Sequence, residues 1–177
     1  SCFPKDGKAL IKSGKEENFD FQILNATENV NKAQKVILVS EIEKYFGGNI
    51  KDKKIAMWGL AFKANTDDIR EASSLDNISL LLEKGAKITA YDAIAEENVK
   101  KIFGDKIEYT KDMYSCLEDA DCLLIATEWS EFKNPNFQLM AEKMKNKAIF
   151  DGRNMFSIDQ IENTGFYYKS IGRKTIK

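Results

Sequence analysis

The sequence predicts an α/β protein: a mostly parallel sheet flanked by helices and preceded by one long amphipathic helix. Three observations carry this. From about residue 54 onward, short apolar runs alternate with amphipathic stretches, the pattern of β-α units whose strands are buried on both faces. Several amphipathic stretches end near Gly85 or Gly104, where a helix can stop. Ahead of them, apolar residues recur at helical spacing from Asn18 to Phe46 without an internal glycine or proline.

Taken in order, residues 1–17 are rich in glycine and lysine around a short helical candidate at 7–13, expected to end at Gly14. Next, Phe19, Ile23, Leu24, Val30, Ile37, Ile42 and Tyr45 predict a single helix closed by Gly47-Gly48. A helix of about 28 residues is roughly 42 Å long at about 1.5 Å per residue, longer than the domain that follows is wide. Part of its apolar face therefore needs another partner, either the rest of this chain or a second copy of it. The polar segment 47–54 reads as the boundary between residues 1–47, the end of a helical segment, and a domain at 48–177. Strands are predicted at 55–60, 86–91, 106–109, 121–126, 147–150 and 166–168, and helices at 74–83, 94–103, 113–118 and 137–145.

Of the 177 residues, 43% are hydrophobic and 31% charged, the make-up of a globular protein. Lys+Arg (27) and Asp+Glu (28) nearly cancel, which excludes a broad basic field for nucleic acid or an anionic membrane. No apolar run is long enough to span a membrane and the first residues lack the layout of a signal peptide, so a cytoplasmic location is expected. The absence of histidine removes every triad or metal site that needs an imidazole. Cys2, Cys116 and Cys122 fit neither a disulfide framework nor a zinc motif, and no metal is expected.

In an open parallel sheet of Rossmann-like order 3-2-1-4-5-6, a ligand sits beyond the carboxyl ends of the strands where the order reverses. Here that point lies between the strands at 55–60 and 121–126. The segments leaving it bring Phe62, Lys63, Arg70 and Trp129 together, and the next strand delivers Arg153. Three cations from distant positions suit a diphosphate, and an aromatic suits a base or sugar. Any one of them taken alone is more often an ordinary surface cation or core aromatic. Dinucleotide binding by this sheet is not expected, because the first turn reads Trp58-Gly59-Leu60-Ala61-Phe62-Lys63 and lacks G-x-G-x-x-G. Asp92, at the end of the second strand, is taken as structural.

Cys2 is followed by Lys5 and Asp6, so a thiol, an ammonium and a carboxylate occur within five residues. A nearby cation can lower a thiol pKa from about 8.5 toward neutrality, and a carboxylate can steer water. Cys116 and Cys122 stand in apolar contexts and read as core thiols.

Four segments, Ser-Cys-Phe-Pro-Lys-Asp (1–6), Trp-Gly-Leu-Ala-Phe-Lys-Ala-Asn-Thr-Asp-Asp-Ile-Arg-Glu-Ala (58–72), Ala-Thr-Glu-Trp (126–129) and Phe-Asp-Gly-Arg-Asn (150–154), occur in one order across the chain. Together they resemble the UDP-glucose/GDP-mannose dehydrogenase family, C-terminal portion. Phe3 after the cysteine looks like the UDP-glucose branch, since GDP-mannose enzymes usually have leucine there. The resemblance implies oxidation of a primary alcohol to a carboxylate with two NAD+, through a thiohemiacetal and a thioester on Cys2, with Asp6 positioning or activating water. It implies that Lys63 contacts the nucleotide sugar, that Arg153 holds its phosphate or sugar portion, and that Phe3 and Phe62 line the pocket. Arg70 is implied to reach NAD bound by another domain, and the long helix to build a homodimer. The family's N-terminal NAD-binding domain is expected to precede Ser1, so the chain by itself is expected to be inactive. Competing expectations are a sister enzyme acting on GDP-mannose or a UDP-N-acetylhexosamine, and a non-catalytic nucleotide-sugar-binding module.

Overall fold

Two apolar strands, β1 (Lys54–Trp58) and β4 (Cys122–Ile125), lie side by side at the centre of the sheet, with Ile55 opposite Cys122 and Trp58 opposite Ile125. The computed structural model describes the backbone from Cys2 to Lys177 and the side chains from Lys5 onward. β2 (Lys87–Tyr91) and β3 (Glu108–Tyr109) extend the sheet on one side, β5 (Ala148–Asp151) and β6 (Tyr167–Ser170) on the other. The order is β3-β2-β1-β4-β5-β6 and every pairing is parallel. This is the expected arrangement, with its reversal between β1 and β4.

Period-two alternation sends the strand residues into two cores. Ile55, Met57, Leu124 and Phe150 face Leu38, Ile42, Ile78 and Leu81, while Ala56, Trp58, Leu123 and Ile149 face Phe132, Met140 and Phe156. Burial on both faces explains why β4, and β5 up to its last residue Asp151, read as apolar runs rather than alternating ones. The edge strand β6 alternates half-buried and buried residues, as an outer strand can.

The helical part departs from expectation in two places. α1 (Cys2–Glu16) runs through Gly14 instead of stopping there. Gly14 is a contact position: a Cβ on it would lie 2.6 Å from the Phe21 ring. The stop comes at Asn18, in the left-handed region at φ 57°, with Phe19 N–H donating to Gly14 O (2.7 Å) and Asn18 N–H to Lys15 O (3.2 Å). The single helix expected over 18–46 is two, α2 (Gln22–Lys35) and α3 (Ile37–Tyr45), broken at Val36 with φ −110° and ψ 9°. Asn77, on α4 (Ser73–Glu83), donates from Nδ2 to Lys35 O at 3.1 Å, so a distant side chain satisfies a carbonyl at the break. Gly47 and Gly48 close α3 at φ 72° and 92°, with Gly48 N–H on Glu43 O.

α3 buries Leu38, Val39 and Ile42, whereas α2 buries nothing and leaves Ile23 83% and Val30 65% exposed. α5 (Glu96–Phe103) and α6 (Phe137–Lys143) match their expected helices, starting two residues late and ending two early respectively. The helix expected at 113–118 is only a single 3-10 turn at Ser115–Leu117, because Asp112 caps its start and Asp119, at φ 54°, turns the chain away at once. α7 (Ile158–Ile161) was not expected, although Ser157 and Gln160 form a capping box that the sequence spells out as Ser-x-x-Gln. Among the described residues no helix is long and apolar enough to cross a membrane.

Candidate functional site

The loops leaving β1, β2, β4 and β5 meet at the carboxyl end of the sheet because buried polar groups knot them together. Asp92 is the centre of the knot. Its Oδ2 accepts from the backbone N–H of Leu60 (2.6 Å) and Ala61 (3.1 Å) and from Trp129 Nε1 (3.0 Å). Its Oδ1 accepts from Ile94 and Ala95 N–H, at 2.9 and 2.8 Å. One carboxylate thus fixes the starts of three loops, the structural role expected of it. It also satisfies donors that burial would otherwise leave costly.

The first turn itself is closed by packing. Gly59 sits at φ 89° with its α-carbon against Thr127, where a Cβ would be 2.3 Å from Thr127 Cβ. Thr127 Oγ1 then donates to Ala61 O at 2.6 Å. The glycine that could have let a pyrophosphate approach is used for strand-to-strand packing instead.

Arg153 crosses the mouth of the site. Its Nε donates to Ala126 O at 2.7 Å and lies 3.3 Å from Glu128 Oε2, while Nη2 donates to Phe62 O at 2.8 Å. Asp151 sets the turn that presents it. Buried completely, Asp151 accepts from Arg153 N–H (2.8 Å), Met155 N–H (2.6 Å) and the Tyr168 hydroxyl (2.7 Å). Gly152 between them is needed for close approach, since a Cβ there would lie 3.0 Å from Ile125 O.

The structure brings Phe62, Trp129 and Arg153 into one network at this edge. Trp129 is turned inward onto Asp92 and is 6% exposed, so it packs rather than faces a ligand. Lys63 is exposed, its Nζ 5.3 Å from the centre of the Phe62 ring. Arg70, nine residues further along the chain than Ala61, clamps Asp68 with two parallel bonds, Nε to Oδ1 at 2.9 Å and Nη2 to Oδ2 at 2.7 Å. That clamp holds the Asp68 carboxyl at about 2. Asp6 is exposed on α1. Cys2 and Phe3 have side chains that lie outside the described residues.

Beside Arg153 opens a cleft of about 910 Å³ between the α2–α3 break and the ends of β4 and β5, walled by Lys35, Ser73, Asn77, Ala126 and Gly152. Phe62 and Lys63 stand outside that wall. Cys116 and Cys122 are buried, and desolvation raises both thiols, Cys116 to about 12, so neither supplies a thiolate near neutral pH. Among the described residues no group of three or more His, Cys, Asp or Glu could hold a metal ion.

Several residues of the site escape sequence reasoning. Glu128, Lys8, Lys35 and Glu71 are linked to partners 20 to 64 residues away, and nothing local marks them. Glu71 accepts from Lys8 Nζ at 2.7 Å and Lys35 Nζ at 2.9 Å, and these two bonds lower its carboxyl to about 2.

Comparison with known proteins agrees with this architecture. Residues 56–158 match the UDP-glucose/GDP-mannose dehydrogenase family, UDP binding domain. UDP-glucose 6-dehydrogenase TuaD of Bacillus subtilis is 38% identical over 177 residues, which is 100% of this chain and 38% of that protein. The UDP-glucose 6-dehydrogenase of Pseudomonas aeruginosa is 38% identical over 98% of this chain and 39% of its own length. The chain therefore spans about two fifths of the length of the curated relatives it matches. A UDP-glucose dehydrogenase structure from Pyrobaculum islandicum superposes with a TM-score of 0.72 at 30% identity, over 88% of this chain and 34% of that one. A UDP-D-ManNAc dehydrogenase structure from Pyrococcus horikoshii gives a TM-score of 0.75 at 26% identity, over 97% and 38%.

Proposed function

The chain belongs to the UDP-glucose/GDP-mannose dehydrogenase family, and from that premise we propose that it is the part of an NAD-dependent UDP-glucose 6-dehydrogenase that holds the nucleotide sugar and carries the reacting cysteine. The observation that carries this is the convergence on Arg153: one guanidinium joins the loops after β1 and β4 while it is itself presented by the loop after β5. Lys63 and Arg153 supply the positive charge for a diphosphate, at the crevice where such sheets bind ligands. Phe62 and Phe3 line the sugar side.

In this reading Cys2 adds its S–H across the C6 aldehyde of the sugar to give a thiohemiacetal, whose oxidation leaves a thioester. Water guided by Asp6 then attacks the thioester carbon, the C–S bond breaks, and the sulfur leaves as the thiolate, giving the carboxylate. Capture on sulfur also keeps a reactive aldehyde from escaping. The two hydrides would pass in succession to two NAD+, the first from the C6 alcohol to leave the aldehyde and the second from the thiohemiacetal; the packed Gly59–Thr127 contact and the fully engaged Asp92 support a place for them on another part of the enzyme, with Arg70 reaching toward it. The exposed Ile23 and Val30 face of α2 is covered by a second copy of the chain in a homodimer.

Calorimetric titration tests the assignment. UDP and UDP-glucose are expected to bind in preference to GDP-mannose, and UDP-ManNAc serves as the competing ligand because the similar Pyrococcus horikoshii protein is named for it. Equal or tighter binding of GDP-mannose rejects the substrate.

A further inference from the structure

A row of charges of alternating sign ties the helical segment to the sheet domain. Glu28 lies 3.6 Å from Lys8, Lys8 donates to Glu71 at 2.7 Å, Glu71 accepts from Lys35 at 2.9 Å, and Lys35 lies 3.2 Å from Asp76. These five residues come from α1, α2, the loop after β1, and α4. Isolated surface pairs contribute little, but a network in which the central carboxylate uses both oxygens fixes geometry as well as charge.

Glu71 is that centre, and its neighbours in the chain make its position consequential. It ends the loop that starts at Gly59 and carries Phe62, Lys63 and Arg70. Its backbone is in the left-handed region at φ 60°, a conformation a non-glycine residue keeps only when its surroundings hold it there. Lys8 stands on the helix that begins at Cys2, six residues along it, or roughly 9 Å of helix rise. Lys35 is the last residue of α2, immediately before the break at Val36. With two ammonium groups against it, the Glu71 carboxyl stays ionised far below neutral pH.

We propose that Glu71 is a positioning residue: by gripping Lys8 and Lys35 it holds the cysteine-bearing helix at a set distance from the loop that presents the sugar. The inference rests on the proposed dehydrogenase function for its chemical consequence and not for its geometry. A nucleophile displaced by an ångström from its near-attack position loses rate without losing substrate binding.

The test has two arms. Cys116 and Cys122 are buried, so spin labels can be placed on Cys2 and on a cysteine introduced at the exposed position 97 by Glu97→Cys, with unlabelled chain in excess. Pulsed electron resonance is expected to give a narrow distance distribution that broadens or shifts by several ångströms in Glu71→Gln and Lys8→Gln, while Lys8→Arg keeps it narrow. Unchanged distributions in both Gln variants, with circular dichroism confirming the fold, overturn the proposal. In the whole enzyme, kcat for NADH formation is expected to fall at least tenfold in Glu71→Gln and Lys8→Gln with KM for UDP-glucose within twofold, and Lys8→Arg restores it. Unchanged kcat overturns the positioning role. An unsubstituted enzyme inert toward UDP-glucose rejects the dehydrogenase function instead, and the anchoring then stands or falls on the distances.

Discussion

Arg153 Nη2 donates to the carbonyl oxygen of Phe62 at 2.8 Å, a bond that joins residues 91 apart in sequence and closes the loop after β1 over the loop after β5. The same guanidinium reaches Ala126 O, so it is spent on shape as well as on charge.

Arg153→Lys keeps the cation but cannot bridge both carbonyls, because an ammonium lacks the planar fork. UDP affinity is expected to fall at least tenfold in Arg153→Lys and further in Arg153→Ala, measured by calorimetry. Thermal unfolding should show a loss of about 1–3 kcal/mol in the alanine variant, where the carbonyls lose a charged donor. Equal affinity in the lysine variant would falsify the bridging role.

Asp92→Ala leaves five donors without their acceptor, four backbone N–H groups and Trp129 Nε1. A destabilisation of about 3 kcal/mol or more is expected from urea unfolding, by the cost of orphaned buried donors. Asp92→Asn, with one oxygen in place of two, should fall between.

Gly59→Ala places a methyl 2.3 Å from Thr127 Cβ at φ 89°. Strain and overpacking together are expected to cost roughly 2–4 kcal/mol. Pairing it with Thr127→Gly should recover only the clash with the threonine side chain, since the Thr127 backbone nitrogen 2.7 Å from the added methyl and the positive φ both remain, a split read from a double-mutant cycle.

Acid should loosen the grip on α1. The Glu71 carboxyl is held at about 2, below its ordinary 4.5, by its bonds to Lys8 and Lys35. A group depressed in the folded state stabilises it above the unfolded value and stops doing so as pH falls through the folded one. The stability lost between about pH 4.5 and pH 2 should therefore be smaller in Glu71→Gln than in the unsubstituted chain. Identical acid profiles in urea midpoints would show that the network contributes nothing to stability.

Ile23→Glu and Val30→Glu place charges on the open face of α2 and bury nothing within the chain. Sedimentation velocity is expected to show a dimer that becomes monomeric in these variants, with unchanged melting of the sheet domain. A monomer before substitution would remove the homodimer.

The β-α alternation that begins near Lys54 was readable because strands buried on both faces carry near-continuous apolar runs: β4 is apolar throughout, and β1 and β5 are apolar except at Lys54 and Asp151, one at the end of each. Glycines at the ends of helices were readable for a similar reason: Gly47, Gly48 and Gly85 all have positive φ, which side-chain-bearing residues avoid. Gly14 does not end its helix because glycine also serves close contact, and the Phe21 ring that makes the contact is seven residues away. The division of α2 from α3 at Val36 left no trace in the periodicity, since the spacing continues across it and the carbonyl at the break is met by Asn77 from α4.

Local chemistry was determined by the sequence alone: which runs bury, where helices can end, and which motifs carry a family's cysteine, lysine and arginines. Backbone conformation and apolar periodicity act over a few residues, so they leave their mark in a few residues. What the tertiary structure decided was which charges meet. Glu71 faces Lys8 across 63 positions and Lys35 across 36, and Arg153 faces Phe62 across 91. Such pairings depend on how helices lie against the sheet, and a lysine destined for a carboxylate is spelled the same way as one destined for water.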